Sequence, residues 1–381
     1  MIEFERIMDT PTPFFQRLSP EEKEIFSQSV DKWTKYNIPA FKERINNDIV
    51  TDQAHQDIVR LCAKSFANTE LTKKTGYEFY FAEPLIEFGS EGKGNCSFDL
   101  LLYNEACHQA ILISCKSSIS EAKNALIEIQ DAKKLVAEKI DYLSECIGDD
   151  LAIENIEYVL CVYDKDSLKI LDTLNGQSKK PKRSQKYNPD EVILWIYRPR
   201  SDIIQLHHEH SHKNSQLTEL LLTGAGQSDH GNRFDLPCCY SSHPYRILKM
   251  VVIGDCYAKQ YAMGNGDGDP KIIKHSTLLA ALMRYISLGA SVEVKKQLIE
   301  SKMDQVIQYG KKYDVLTTVD EYSFRLSCRG DYIKTVAKSL EEKLIDEWSY
   351  LKAKEEATKK VTEEISKKQY PKTLFDYNTP K

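Results

Sequence analysis

The pattern of apolar and polar positions changes twice along the chain. Apolar side chains recur at helical spacing over residues 20–72, whereas from Tyr77 onward short apolar runs typical of buried strands alternate with turn residues. A long helical pattern from about Glu121 to Cys146 interrupts these strands. This order of helix, strands, helix and further strands predicts an α/β domain that ends near residue 222.

The C-terminal part of the chain returns to a helical pattern. Three short helical segments lie between His275 and Tyr313, and the last of them follows a turn predicted around Ser301. Two alternating segments come next and meet at Asp320 and Glu321, as the strands of a hairpin do. Three helices followed by a hairpin is the order of a winged-helix domain.

The predicted organisation therefore has four parts along the chain. Residues 1–222 form the α/β domain with its N-terminal helices, and residues 223–270 form a linker and connecting segment. Residues 271–350 form the winged-helix-like, mainly helical domain, and residues 351–381 form a charged helix and tail.

Composition narrows the class of protein. With 381 residues, of which 41% are hydrophobic, the chain can bury two or three ordinary cores. No apolar run approaches the ~20 residues that a membrane span needs, and the first residues lack the features of a signal peptide, so we expect a cytoplasmic protein without a membrane segment. The ten cysteines are irregularly spaced and form no Cys-x-x-Cys pair, which predicts reduced core thiols rather than disulfides or a zinc site.

Net charge bears on nucleic-acid binding. The formal charge of −5 argues against a protein that coats nucleic acid indiscriminately, because non-specific affinity comes mainly from neutralised phosphates. A local basic channel remains compatible with this charge.

The segment "ISCKSSISEAKNALIE", residues 113–128, places Lys116 directly after an apolar run. A strand rarely buries a lysine without a partner. The preceding segment "FDLLLY" begins with Asp99, and a short turn joins the two strands, so the start of the first should lie beside the end of the second. A carboxylate and an ammonium at adjoining strand ends, with a second carboxylate nearby, are the minimum that metal-assisted phosphodiester hydrolysis requires.

Asp99 followed by Ser114-Cys115-Lys116 resembles the PD-(D/E)xK nuclease superfamily, whose pattern is an aspartate followed by an acidic-x-lysine triplet. Ser114 stands where the acid is expected. One group of type II restriction endonucleases, which cut CCGG-containing or related sites, has a serine at this point and its glutamate on the next helix. Glu128, twelve positions after Lys116, matches that glutamate at a slightly shorter spacing, and Glu121 on the same helical face is the rival.

This resemblance implies a restriction-endonuclease-like mixed sheet flanked by helices and a Mg²⁺-dependent, site-specific deoxyribonuclease. It assigns catalytic roles to Asp99, Ser114, Lys116 and Glu128, with Asp99 and Glu128 as metal ligands. Related enzymes often carry a further upstream acid, for which Glu87 is preferred. Because each active site cuts one strand, cleavage of double-stranded DNA implies a homodimer or a higher oligomer.

Glu70 and Glu83 are the alternatives to Glu87 as the upstream acid. The alternative to an enzyme is a non-catalytic DNA-binding protein or regulator, whose nuclease-like core has lost its second acidic ligand at Ser114. Gly-rich phosphate loops and nucleophile signatures are absent from the sequence, which excludes ATP-driven enzymes and most dehydrogenases.

Two basic regions are candidates for DNA contact. The first is the loop 175–191, which can touch backbone phosphates without reading sequence; its candidate residues are Lys179, Lys180, Lys182 and Arg183. The second is the last helix before the hairpin, interpreted as a recognition helix; its candidate residues are Lys302, Gln305, Gln308, Lys311 and Lys312. The alternatives are a solvated loop and a winged helix used for protein contacts or dimerisation.

The segment "HHEHSH", residues 207–212, offers a further possibility. In a strand, His208, His210 and His212 would share one face and could bind zinc. An exposed loop that touches DNA phosphate or solvent is the preferred interpretation.

Overall fold

The fold was taken from a computed structural model, which describes residues 13–85, 98–119, 122–148, 151–174, 192–226, 238–263 and 269–369. The chain divides into two compact units. One combines residues 1–49, 312–315 and 328–381, and the other combines residues 50–311 and 316–327. Both units join segments that are distant in sequence. The division predicted at residues 222, 270 and 350 stays a prediction.

A mixed seven-stranded sheet forms the centre of the second unit, as far as the structure describes it, and its strands stand in chain order. They are β1 (Glu78–Ala82), β2 (Leu100–Asn104), β3 (Gln109–Lys116), β4 (Asn155–Tyr163), β5 (Ile193–Arg198), β6 (Ile203–Leu206) and β7 (Ala225–Gly226). The pairs β3–β4 and β4–β5 are parallel, and the other neighbouring pairs are antiparallel. The predicted mixed α/β class is thereby confirmed.

Helices cover both faces of this sheet. They include the end of α2 (Pro20–Ser65), α3 (Glu70–Thr75), α4 (Ala122–Glu138), α5 (Ile140–Ile147), α6 (Asp164–Leu174) and α7 (Ser215–Thr223). Side chains of β3 alternate between two cores: Ile113 and Cys115 pack in a cluster with α2, whereas Leu112 packs in a cluster with α4. Burial on both faces explains why the central strands read as almost continuous apolar runs.

The prediction of one long helix from Glu121 to Cys146 is wrong in one respect. The described part consists of two helices, α4 and α5, because Lys139 leaves the helical conformation at φ −122° and ψ 21°. The amphipathic pattern continues across the break, which is why the sequence predicts a single helix.

The rest of the second unit is mainly helical. A helical stretch runs through α8 (Pro244–Ile247), a π-helical segment (Leu248–Tyr257) and α9 (Ala258–Ala262). It is followed by β8 (Ile272–Lys274), α10 (His275–Tyr285), α11 (Val292–Lys312), β9 (Leu316–Asp320) and β10 (Ser323–Leu326). The three strands pair in the order β8-β10-β9, so the predicted hairpin forms and gains a third strand.

The turn predicted around Ser301 is wrong, because α11 continues through this position. Ile299, Lys302 and Val306 are buried at spacings of three and four, which places them on one face of a single helix. Two helices therefore stand where three were predicted, and the winged-helix assignment stays a prediction.

The first unit contains α1 (Pro13–Arg17), the beginning of α2 and α12 (Ile333–Gln369). Phe26 and Val30 of α2 share a buried apolar cluster with Ala357 and Val361 of α12. Within the described ranges, no helix combines the length and the apolar character needed to cross a membrane.

Candidate active site at the ends of β2 and β3

Asp99 lies directly before β2 and beside the end of β3. Its backbone N–H donates to the carbonyl oxygen of Ile113 at 2.7 Å, and its Oδ2 accepts a hydrogen bond from the Cys115 backbone N–H at 2.6 Å. The antiparallel register, in which Leu100 stands opposite Ile113, produces these contacts. Asp99 is therefore next to the strand end that carries Lys116, where the hairpin pattern places it.

Lys116, the last residue of β3, pairs with Glu128 of α4. Its Nζ lies 2.7 Å from Glu128 Oε2, and both side chains keep contact with solvent, at 29% and 52% exposure respectively. Alternation along β3 directs Lys116 to the face on which α4 packs through Leu126 and Ile129. The amphipathic packing of α4 thus brings Glu128 to the lysine.

Sequence reasoning missed His55, which lies on α2 and contacts Asp99. The end of α2 packs on the face of the sheet opposite α4. His55 Nε2 lies 3.1 Å from Asp99 Oδ1. Burial would lower the pKa of His55, but the Asp99 carboxylate outweighs it and the pKa is raised. A signal existed: His55 precedes Ile58 and Cys62 at three and seven positions, which places it on the buried face of α2.

The turn of α2 that carries His55 is held by Arg246, a buried residue of α8. Arg246 Nη1 donates to Gln53 Oε1 at 3.0 Å and lies 3.7 Å from Asp52 Oδ2. Burial raises the pKa of Asp52, although the Arg246 guanidinium opposes the shift. A charged network thus continues from the site into the interior of the second unit.

Ser114 occupies the position where the superfamily pattern has an acid. It is 1% exposed, and its hydroxyl has no hydrogen-bond partner among the described residues. By alternation it shares the face of β3 that carries Leu112 and Lys116.

The core behind the site contains the predicted reduced cysteines. Cys62, Cys115 and Cys161 are fully buried and not linked by disulfides, and the sulfur atoms of Cys62 and Cys161 lie 3.8 Å apart. Burial raises the pKa of the Cys115 and Cys161 thiols, so these two are neutral core groups.

Whether this site fits Mg²⁺ depends on its donors. Asp99 and Glu128 supply two carboxylates, and Mg²⁺ is usually bound by one or two carboxylates together with water and substrate phosphate, so the donor set fits. In the part of the chain that the structure describes, no three His, Cys, Asp or Glu side chains form a group that could hold a metal by themselves. Glu87 and Glu121 lie outside the described residues.

The side chains of the other two upstream acids, Glu83 and Glu70, have partners of their own. Glu83 is buried, and its carboxylate accepts hydrogen bonds from the backbone N–H groups of Tyr240 and Ser241. Burial raises its pKa. Glu70 is exposed and pairs with Lys73 at 3.0 Å.

The candidate DNA-contacting residues fall into three groups. The basic loop lies outside the described residues, and with it Lys179, Lys180, Lys182 and Arg183. On α11, four candidates are exposed: Gln305, Gln308, Lys311 and Lys312. The assignment of Lys302 to the DNA-contacting residues is corrected by the structure. Lys302 is only 5% exposed, and its ammonium lies 5.4 Å from the centre of the Tyr240 ring, so it does not belong to a DNA-contacting surface.

In the histidine segment, His212 is turned inward. Its Nε2 accepts a hydrogen bond from Trp195 Nε1 at 2.9 Å, and its Nδ1 lies 2.7 Å from Glu157 Oε2. Both ring nitrogens are engaged, which leaves none for a metal. His208, in contrast, is 77% exposed.

Known proteins include a relative of matching length. The chain is similar to an uncharacterized protein of Archaeoglobus fulgidus, with 24% identity over 360 residues that cover 89% of this chain and 95% of that protein. No family model matches the sequence. No solved structure matches the fold.

Proposed function

We propose that this protein is a Mg²⁺-dependent DNA endonuclease of the type II restriction class. One observation carries the proposal: Asp99 accepts a hydrogen bond from the backbone of Cys115, the neighbour of Lys116, and Lys116 pairs with Glu128 of the helix that follows. The resemblance to the PD-(D/E)xK nucleases assigns catalytic roles to the same three residues. A mixed sheet with helices on both faces is also what a restriction-endonuclease-like core requires.

Asp99 and Glu128 would hold the metal ion. Mg²⁺, when bound, polarises the phosphate and lowers the pKa of a water molecule. Glu128 would be available to the metal at small cost, because partly exposed ion pairs such as Lys116–Glu128 contribute only about 0–1 kcal/mol.

Lys116 would act on the substrate when its ion pair with Glu128 is broken. Its ammonium has three donors and no acceptor, so it can orient the attacking water or balance the charge that develops on the phosphate. Its position at the strand end fixes the stem of the side chain while the charged end reaches solvent.

The substrate is proposed to be double-stranded DNA. Gln305, Gln308, Lys311 and Lys312 are exposed on α11, and these residue types contact adenine edges, guanine edges and phosphates in the major groove. A winged-helix-like arrangement of α10, α11 and the β8–β10 sheet would present this helix. Cleavage of both strands would require a homodimer or a higher oligomer.

The test is incubation of the purified protein with plasmid DNA of mixed sequence in Mg²⁺ and in EDTA. Asp99→Asn, which keeps the size of the side chain, is purified in parallel to exclude contaminating nucleases. Discrete fragments from the wild type alone, and only in Mg²⁺, support a restriction enzyme, whereas a smear indicates a non-specific nuclease. Intact DNA together with a gel shift would favour the non-catalytic DNA-binding alternative.

A further inference from the structure

We infer that His55 is a positioning residue for Asp99 and holds its carboxylate ready for a divalent cation. This inference rests on the proposed function, since it names what orients one of the two proposed metal ligands. The contact comes from α2, which lies outside the Asp99-to-Glu128 segment that carries the resemblance.

The geometry constrains both oxygens of Asp99. The Cys115 backbone N–H holds Oδ2 at 2.6 Å, and His55 Nε2 holds Oδ1 at 3.1 Å. A single donor would leave the carboxylate free to swing around one hydrogen bond, whereas two donors on different oxygens fix its plane. An ionised carboxylate offers about four lone-pair positions, so these two contacts leave room for a cation.

His55 is itself held firmly enough to serve this role. It stands on the turn of α2 that buried Arg246 ties down through Gln53. Ile58 and Cys62, further along the same helix face, are fully buried in the core beneath the sheet. Asp52 and Lys116 are the other charged groups whose fields act on the imidazole, with opposite signs.

A different role would have the opposite consequence. If His55 served only as a cationic partner that occupies Asp99, its removal would free the carboxylate and strengthen metal binding. If it positions Asp99, its removal weakens metal binding, as loss of a group that orients a metal ligand typically costs about 10- to 100-fold in affinity or activity. Metal affinity therefore separates the two roles.

The experiment compares His55→Ala and His55→Gln in the full chain. The Gln amide can donate to Asp99 as the imidazole does, but it carries no charge. His108→Asn is the matched control, because His108 lies in the turn at the opposite end of the β2–β3 hairpin and its positive φ of 51° suits asparagine. Thermal unfolding monitored by circular dichroism checks that each variant folds, and calorimetric titration with Mg²⁺ and Ca²⁺ measures affinity.

We expect His55→Ala to weaken Mg²⁺ binding by about 10-fold or more, with most of the affinity restored in His55→Gln and none lost in His108→Asn. In cleavage assays kcat should fall for His55→Ala while the KM for DNA stays unchanged. Mg²⁺ affinity in His55→Ala equal to or above that of the wild type overturns the inference, as does a wild type that binds no divalent cation. A wild type that binds Mg²⁺ and loses affinity in His55→Ala, but cuts no DNA, supports the inference and refutes the proposed function alone.

Discussion

Lys116 Nζ and Glu128 Oε2 lie 2.7 Å apart, which joins the last residue of β3 to the second turn of α4. Glu128 thus reaches the strand end from α4, whereas the superfamily pattern expects an acid on the strand itself. Ser114, two residues before Lys116 on the same face of β3, is buried and carries no charge.

If Glu128 on α4 supplies the carboxylate that the superfamily pattern places at the position of Ser114, it is essential for cleavage. We expect Glu128→Gln to remove most activity, on the order of 100-fold, since an amide can still accept a hydrogen bond from Lys116 but loses the negative charge that a metal needs. Plasmid cleavage rates measure the loss. Asp131→Asn on the same helix, where Asp131 pairs with exposed Lys134, is the control, and a fully active Glu128→Gln protein would transfer the role to Glu121 or Glu87.

Asp99 and Lys116 should be needed for cleavage and not for binding. We expect Asp99→Asn and Lys116→Ala each to reduce cleavage by at least about 100-fold, because they remove a proposed metal ligand and the proposed charge that faces the phosphate. Gel shifts in Ca²⁺ should show nearly unchanged affinity for DNA. Cleavage that survives either change would place the active site elsewhere on the protein.

Ser114 gives a prediction about stability. Its buried hydroxyl finds no partner among the described residues, so Ser114→Ala removes a desolvated polar group without breaking a hydrogen bond. We expect the free energy of unfolding in urea to stay the same or to rise by about 1 kcal/mol. A loss of more than about 1 kcal/mol would show that the hydroxyl has a partner in solution.

Buried and exposed lysines on the proposed DNA-contacting helix should respond differently to substitution. Changing Lys311 and Lys312 to Glu together should weaken DNA binding and flatten its salt dependence, because both lysines are exposed and would neutralise phosphates. Lys302→Met should leave binding unchanged, since that lysine is buried. Fluorescence anisotropy at several salt concentrations tests both, and equal effects would contradict the assignment of this surface.

Lys302→Met should also stabilise the fold. Burial lowers the pKa of Lys302 to about 8, below its ordinary 10.5. The free-energy cost of burying the charged ammonium is therefore fully present below pH 8 and is relieved as the pH rises toward 10.5. We expect the free energy of unfolding to rise by about 1–3 kcal/mol at pH 7 and the gain to shrink above pH 8. A destabilised variant would show that contacts such as the one with the Tyr240 ring outweigh the burial cost.

Mild acid should destabilise the protein through His243. Burial lowers its pKa to about 4, so between pH 6.5 and 4 the unfolded chain binds a proton that the folded chain does not, and stability falls as the pH falls. His243 Nδ1 accepts a hydrogen bond from the Tyr245 backbone N–H at 3.2 Å and so caps α8, which an asparagine can also do. Relative to His243→Asn, the wild type should lose about 2 kcal/mol between pH 7 and pH 5. Parallel urea curves at the two pH values for both proteins would contradict this role.

The sequence alone determined the contacts between residues that are close along the chain. Period-two alternation and a short turn suffice to pair β2 with β3, and this pairing puts Asp99 beside the strand end that carries Lys116. The apolar stripe of α4 likewise brings Glu128 to Lys116. Buried, reduced cysteines follow from their positions inside apolar runs.

Only the tertiary structure decided the contacts between distant segments. Nothing in the local pattern of residues 52–55 states that His55 meets Asp99, or that Arg246, 193 positions from Gln53, holds the same turn of α2. The continuity of α11 through Ser301 and the burial of Lys302 depend in the same way on what packs against that helix. Local periodicity specifies which face of an element is apolar, but which elements cover that face, and which polar groups they enclose, depends on how the whole chain packs.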